Sequence, residues 1–183
     1  MLIKYIRSVI FIFYFKDFLA NEMQKSNNKY TLEEYKYGLD ILFNTLGTII
    51  IVISISLMFG WFKQAVITLF WFGVIRFFSG GFHFKTSIAC ILGTTSIIYL
   101  ILFLYMHNLL SRNIIDILYV ISLIIFMIFA PHNIEQVLKV KINFKYVFKI
   151  ITIAIVLVNI MIKSDLLTLT FFIQSLTTIG FRK

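Results

Sequence analysis

The sequence predicts an all-α membrane protein of about six transmembrane helices behind an N-terminal interfacial amphipathic helix. Three observations carry that prediction. Of the 183 residues, 60% are hydrophobic and only 14% charged, with a mean hydropathy of +0.95. A domain of this size exposes a large fraction of what it carries, so lipid must be the solvent for most of the chain. Apolar runs that approach the length of a bilayer core recur along it, separated by polar or turn-forming breaks. The net charge of +9 is spread over the ends of those runs instead of forming one basic patch, which is where topology signals belong. A nucleic-acid partner would call for a basic face on a soluble surface, so none is expected. Residues 1–183 read as a single polytopic domain.

Taken in order, residues 1–30 come first. Val9 to Phe15 is too short to span a bilayer. Leu2, Ile6, Val9, Ile10 and Phe13 fall at helical spacing, with Lys4 and Lys16 nearby, as in a helix lying in the membrane interface. A cleaved signal peptide is the rival, but no small-x-small cleavage site precedes Asn21. Residues 21–30 read as a polar cytoplasmic loop. Thr31-Leu-Glu-Glu34 has the form of a capping box and opens the helix of the first span, about 38–59. Gly60 marks a turn, and the second span, about 61–79, ends at Ser79-Gly80-Gly81. The third covers about 86–106 and the fourth about 114–130, where Pro131 stops it. The fifth covers about 147–162. The sixth, about 166–180, is short for a bilayer that takes roughly 20 helical residues. No internal repeat or pair of Gly/Pro-interrupted spans is visible.

Placing the N-terminus inside puts only Lys63, Arg112 and Lys163 outside, leaving fourteen of the seventeen Lys and Arg residues on the cytoplasmic side. The positive-inside bias therefore predicts six spans, both termini cytoplasmic, and the 76–90 segment at the cytoplasmic face. Richness in Ile, Phe, Asn and Lys suggests an AT-rich bacterial genome and hence the bacterial cytoplasmic membrane.

That segment holds the chemistry: Arg76-Phe-Phe-Ser-Gly80-Gly81-Phe-His83-Phe-Lys-Thr-Ser-Ile-Ala-Cys90. A lone Cys in a span is most often a small apolar packer. An Arg at a span end usually snorkels, a Gly pair usually turns the chain, and an interfacial His is usually satisfied by water. Together they place a thiol beside a base, the combination that activates sulfur for acyl transfer. One Cys and one His give too few ligands for a metal site, and no cofactor is expected. With one cysteine there is no intramolecular disulfide. Spacing adds a constraint. On one straight helix, seven residues rise about 10 Å, whereas a Cys–His hydrogen bond needs about 3 Å. If the pair is catalytic, residues 80–86 must form a loop or bent helix, or a second subunit must supply one partner.

The run Arg76…Gly80-Gly81-Phe82-His83…Cys90 resembles the signature of the accessory gene regulator B family of membrane cysteine peptidases. Glu34-Tyr-Lys-Tyr-Gly38 resembles that family's tyrosine-glycine motif, and Ala130-Pro131 before a basic loop is another shared feature. The likeness extends from about residue 30 to the C-terminal span. His132-Asn133-Ile134-Glu135 departs from the polar composition expected after Ala130-Pro131. The resemblance implies an endopeptidase that removes the C-terminal tail of a quorum-sensing propeptide. Cys90 would be its nucleophile and His83 its base, with a thioester on Cys90 resolved by closure of a thiolactone or lactone ring. It also implies that Arg76, Gly80 and Gly81 support the site or the substrate. The amphipathic precursor and membrane lipid would be its partners, recruited in part by the basic loop 139–149. The resemblance implies a homodimer, and a partner that supplies one member of the pair is one of the two ways to meet the spacing constraint. Ser87, Glu34 and Gln174 receive no catalytic role. The alternative is a small transporter or exporter of a peptide or lipid, with Asn159 and Gln174 lining a path; their blander role is interhelical hydrogen bonding. A third reading is a structural partner in a membrane complex.

Overall fold

The computed structural model describes residues 15–26, 31–82, 86–132 and 142–179, and these hold seven helices and no strand. They are α1 (15–26), α2 (Leu32–Met58), α3 (Phe62–Ser79), α4 (Ser87–Met106), α5 (Arg112–Phe129), α6 (Ile142–Ile162) and α7 (Asp165–Thr178). The helices α2 to α6 are long and apolar enough to cross a membrane. The chain is an all-α membrane protein. Residues 1–14, which carry most of the expected interfacial helix, lie outside the described residues.

The chain divides into two compact units after Gly47. In the first, α1 pairs antiparallel with the start of α2. Lys16 is bonded to Asp40, Lys36 to Asp17 at 2.7 Å, and the Phe15 and Phe43 rings meet edge to face at 6.4 Å. α1 continues through residue 26, so the polar stretch expected to be loop from residue 21 is helical to that point. Glu22, Met23, Gln24 and Lys25 are good helix formers, and Glu22 and Lys25 pair at 2.8 Å across one turn. The capping box forms at the start of α2. The Glu34 carboxylate accepts from Thr31 N–H at 2.7 Å, and Glu34 N–H donates to Thr31 Oγ1 at 3.3 Å.

The second unit is built around α7. With 14 residues it is about 21 Å long, short of the roughly 30 Å of a bilayer core. It is nonetheless the most enclosed helix. Leu166, Leu167, Leu169 and Phe171 are buried, and so are Thr168, Thr170, Gln174, Ser175 and Thr178. Its hydroxyls satisfy themselves locally: Thr170 donates to Leu166 O at 2.7 Å, Ser175 to Phe172 O at 2.7 Å and Thr178 to Ser175 O at 2.6 Å. Small side chains bonded in this way let neighbouring helices approach closely, the usual means of association where lipid removes the hydrophobic drive. Leu166 and Leu169 pack with Phe72, Ile98 and Leu102 of α3 and α4. Leu167 and Phe171 pack with Ile75, Phe126 and Val156 of α3, α5 and α6. The outward faces of α2 to α6 carry exposed Ile, Leu and Phe, among them Ile50, Phe70, Leu92, Ile128 and Ile150, as lipid-facing helices do.

The entry to α7 is stapled. Ser164 caps it by accepting from Leu167 N–H. Asn159, 3% exposed, donates to Ser164 O at 3.2 Å and Thr168 Oγ1 at 2.8 Å, and accepts from Ser164 N–H at 3.2 Å. Arg112 at the start of α5 is bonded to Asp165. These bonds occupy Asn159 in the fold, in agreement with its reading as interhelical glue.

Candidate active site

α3 ends where Gly80 takes φ 68° and ψ −149°, a region essentially reserved for glycine. The Gly80 N–H still bonds back to Arg76 O at 2.9 Å. From there the chain passes between two neighbours. On one side it pairs in parallel with His132, just beyond α5: His132 N–H donates to Ser79 O at 2.9 Å and Gly81 N–H to His132 O at 3.3 Å. On the other side Phe82 N–H donates to Thr177 O, in the last turn of α7, at 2.9 Å. Both glycines are required by this packing. A methyl group at Gly80 would lie well inside contact with His132 O. One at Gly81 would meet Thr177 Oγ1 at 2.7 Å and Gln174 Nε2 at 3.3 Å. The space beside each glycine is thus filled by the protein's own chain.

Two side chains complete the fixation. Arg76, one turn before the end of α3, donates from Nη2 to Phe82 O at 2.7 Å and from Nη1 to Gln174 Oε1 at 3.5 Å, and its guanidinium sits 5.8 Å from the centre of the Phe72 ring. Gln174, fully buried in α7, donates from Nε2 to Gly80 O at 2.9 Å and to Ser79 Oγ at 3.3 Å. The peptide groups from Ser79 to Phe82 are therefore held by the backbone on two sides and by two side chains.

Cys90 lies in the first turn of α4. Thr86 caps that helix in an extended conformation, its Oγ1 accepting from Ala89 N–H at 3.3 Å, while Cys90 N–H bonds to Thr86 O at 3.0 Å. The thiol is free and only 8% exposed.

The fold brings Arg76, Gly80, Gly81 and Cys90 to one end of the α3–α4 pair. His83 lies outside the described residues, as do Lys85, Lys139 and Lys141. Because α4 begins at Ser87, the helix that carries Cys90 does not extend back to position 83. Of the residues given no catalytic role, Glu34 closes the α2 capping box and Ser87 is the first residue of α4. Gln174 holds the Gly80 carbonyl, and Thr177 and His132 supply backbone partners that sequence reasoning did not find. One signal was available for Gln174: it is a carboxamide within the shortest and most hydroxyl-rich of the apolar segments.

A family model described as accessory gene regulator B matches residues 16–180. No curated protein and no solved structure matches the chain.

Proposed function

The chain belongs to the accessory gene regulator B family, a membrane family of quorum-sensing peptide processing, and on that premise we propose that it is a cysteine endopeptidase acting on a propeptide through Cys90 and His83. The observation that carries the reading is the break between α3 and α4. α3 ends at Ser79, residues 80–82 lie outside any helix and α4 starts at Ser87, which supports a pairing of His83 with Cys90 that one continuous helix would forbid.

In the proposed reaction His83 takes the proton of the Cys90 thiol, and the sulfur attacks the carbonyl carbon at the processing site. The carbon–nitrogen bond breaks, the departing amine of the C-terminal tail takes the proton from His83, and the signal half remains as a thioester on Cys90. An internal Cys or Ser of the precursor then attacks that thioester, closing the ring and returning a proton to Cys90. Exchange of one thioester for another is nearly balanced in free energy, so ring closure through sulfur needs no further energy source. Positive charge concentrated at one end of the spans supports a site at the cytoplasmic face, and the working unit is a homodimer. The exporter reading loses its path-lining residues, because Asn159 and Gln174 both spend their carboxamides on hydrogen bonds within the fold.

Co-expression with the precursor peptide tests the reading by mass spectrometry of the intact chain. A precursor fragment joined to Cys90, absent from Cys90→Ala, is the expected result. Normal tail removal by Cys90→Ala would overturn it. Arg76→Lys separates a geometric role from a recruiting one. Lysine keeps the charge but cannot bond Phe82 O and Gln174 together as a planar fork does. Processing is expected to fall about 100-fold, as for a reacting group displaced by about 1 Å. Retained processing in Arg76→Lys would mean that charge alone is used.

A further inference from the structure

Gln174 is a buried carboxamide that the reaction scheme does not use. It sits at 0% exposure on the polar side of α7, and each bond of its carboxamide goes to residues 76–80 at the end of α3. Nε2 reaches Gly80 O at 2.9 Å and Ser79 Oγ at 3.3 Å, and Oε1 takes Arg76 Nη1 at 3.5 Å. We propose that Gln174 is a positioning residue of the active site, anchoring the Ser79–Phe82 segment to α7 and so setting the direction in which the chain leaves Phe82. The inference rests on the protease reading for its catalytic consequence, though not for its geometry.

The chemistry of the contact makes the residue type specific. Gly80 O and Ser79 Oγ need a donor, while the Arg76 guanidinium needs an acceptor, and a carboxamide offers both from one planar group. Glutamate would keep the acceptor for Arg76 but turn a second oxygen toward the Gly80 carbonyl. Methionine would preserve length and packing while offering neither donor nor good acceptor. The neighbouring restraints are backbone bonds: His132 to Ser79 and Gly81, and Thr177 to Phe82. They lock the strand-like rung but leave its tilt to the side chains. Gln174 and Thr177 are three residues apart on α7, so one helical turn reads both Gly80 and Phe82. A displacement of α7 along its axis would therefore carry Gly80 and Phe82 with it.

The experiment uses the full chain in lipid nanodiscs with the variants Gln174→Met and Gln174→Glu, read in two ways. Hydrogen exchange at the Gly81 and Phe82 amides reports the geometry without any substrate. Both variants are expected to exchange at least about tenfold faster there, because the restraint opposing local opening is weakened, with the α4 amides unchanged. Single-turnover acylation of Cys90 by the precursor reports the chemistry. It is expected to fall about 100-fold with KM held within a few-fold, while alkylation of Cys90 by iodoacetamide at high pH, where no base is needed, stays at the wild-type rate. The pH profile of alkylation in Gln174→Met should approach that of His83→Ala. Wild-type exchange at Gly81 and Phe82 in either folded variant overturns the positioning role. A uniform rise in exchange over α3, α4 and α7 does so too, since it marks a structural contribution alone. If Gln174→Met does not fold, Gln174→Glu decides, its carboxylate being compensated by Arg76. Failure of the wild-type chain to acylate at Cys90 overturns the protease reading, and the exchange result still decides for or against Gln174.

Discussion

Cys90→Ser is expected to lower tail removal by on the order of 1,000-fold or more, with the amount of folded protein unchanged. Serine is nearly the same size, and the position is 8% exposed in the first turn of α4, so packing and helix capping survive the change. What is lost is intrinsic nucleophilicity: a hydroxyl is a far weaker nucleophile near neutral pH unless a strong base activates it, and losing the nucleophile of such a pair costs nearly the whole of the catalysis. The measurement is the fraction of precursor cleaved in cells expressing equal amounts of the two chains, together with the thermal midpoint of each in detergent. An exporter or a structural subunit would tolerate the exchange, because there Cys90 would only fill space. Processing within tenfold of wild type would therefore remove the nucleophile from Cys90.

Gly80→Ala should come close to that loss for a different reason. Its φ of 68° with ψ −149° lies where an L side chain costs about 1–3 kcal/mol, and a methyl group there would drive into the His132 carbonyl. Relief requires either separating residues 79–81 from 132 or turning the end of α3. Either movement shifts the chain before His83, and about 1 Å of displacement is enough for a 100-fold loss of rate. Gly73→Ala is the internal control. Gly73 lies in the same helix with ordinary helical dihedrals and nothing near a new methyl group, and alanine is the better helix former by about 1 kcal/mol. Processing by Gly73→Ala should match wild type, and its thermal midpoint should equal or exceed it. If Gly80→Ala processes normally, the close approach to His132 is not needed for the reaction.

The pairing of residues 79–81 with 132 gives the glycine pair a more particular role than a flexible bend. Flexibility would be served by glycine at either position with room around it. The observed segment instead has protein on both sides, and its peptide groups are bonded to His132, Thr177, Arg76 and Gln174. His132 opens the stretch whose composition departs from the family pattern, yet its contribution here is made by backbone N–H and C=O. Such a contribution tolerates many side chains, which explains how a departure in sequence there leaves the pairing intact.

The sequence makes legible the solvent of the chain, its helical class and several helix ends, because each is a local property. Hydropathy excludes a soluble globule, Thr31 and Glu34 cap α2 within one turn, and Gly60 and Gly80 stop helices through their own dihedrals. It also determined which residues are chemically able to act, since only one thiol is present and Arg76, Gly80 and His83 stand close to it in the chain. That the short α7 is the centre of its unit, that both glycines answer to close packing, and that Gln174 turns toward Gly80 emerge only in the folded chain. Those facts depend on pairs such as Ser79 with His132 and Gly80 with Gln174, which are far apart in sequence. In a membrane the faces toward lipid and toward protein are both apolar, so hydrophobic periodicity, the usual guide to which side of a helix is buried, carries little information.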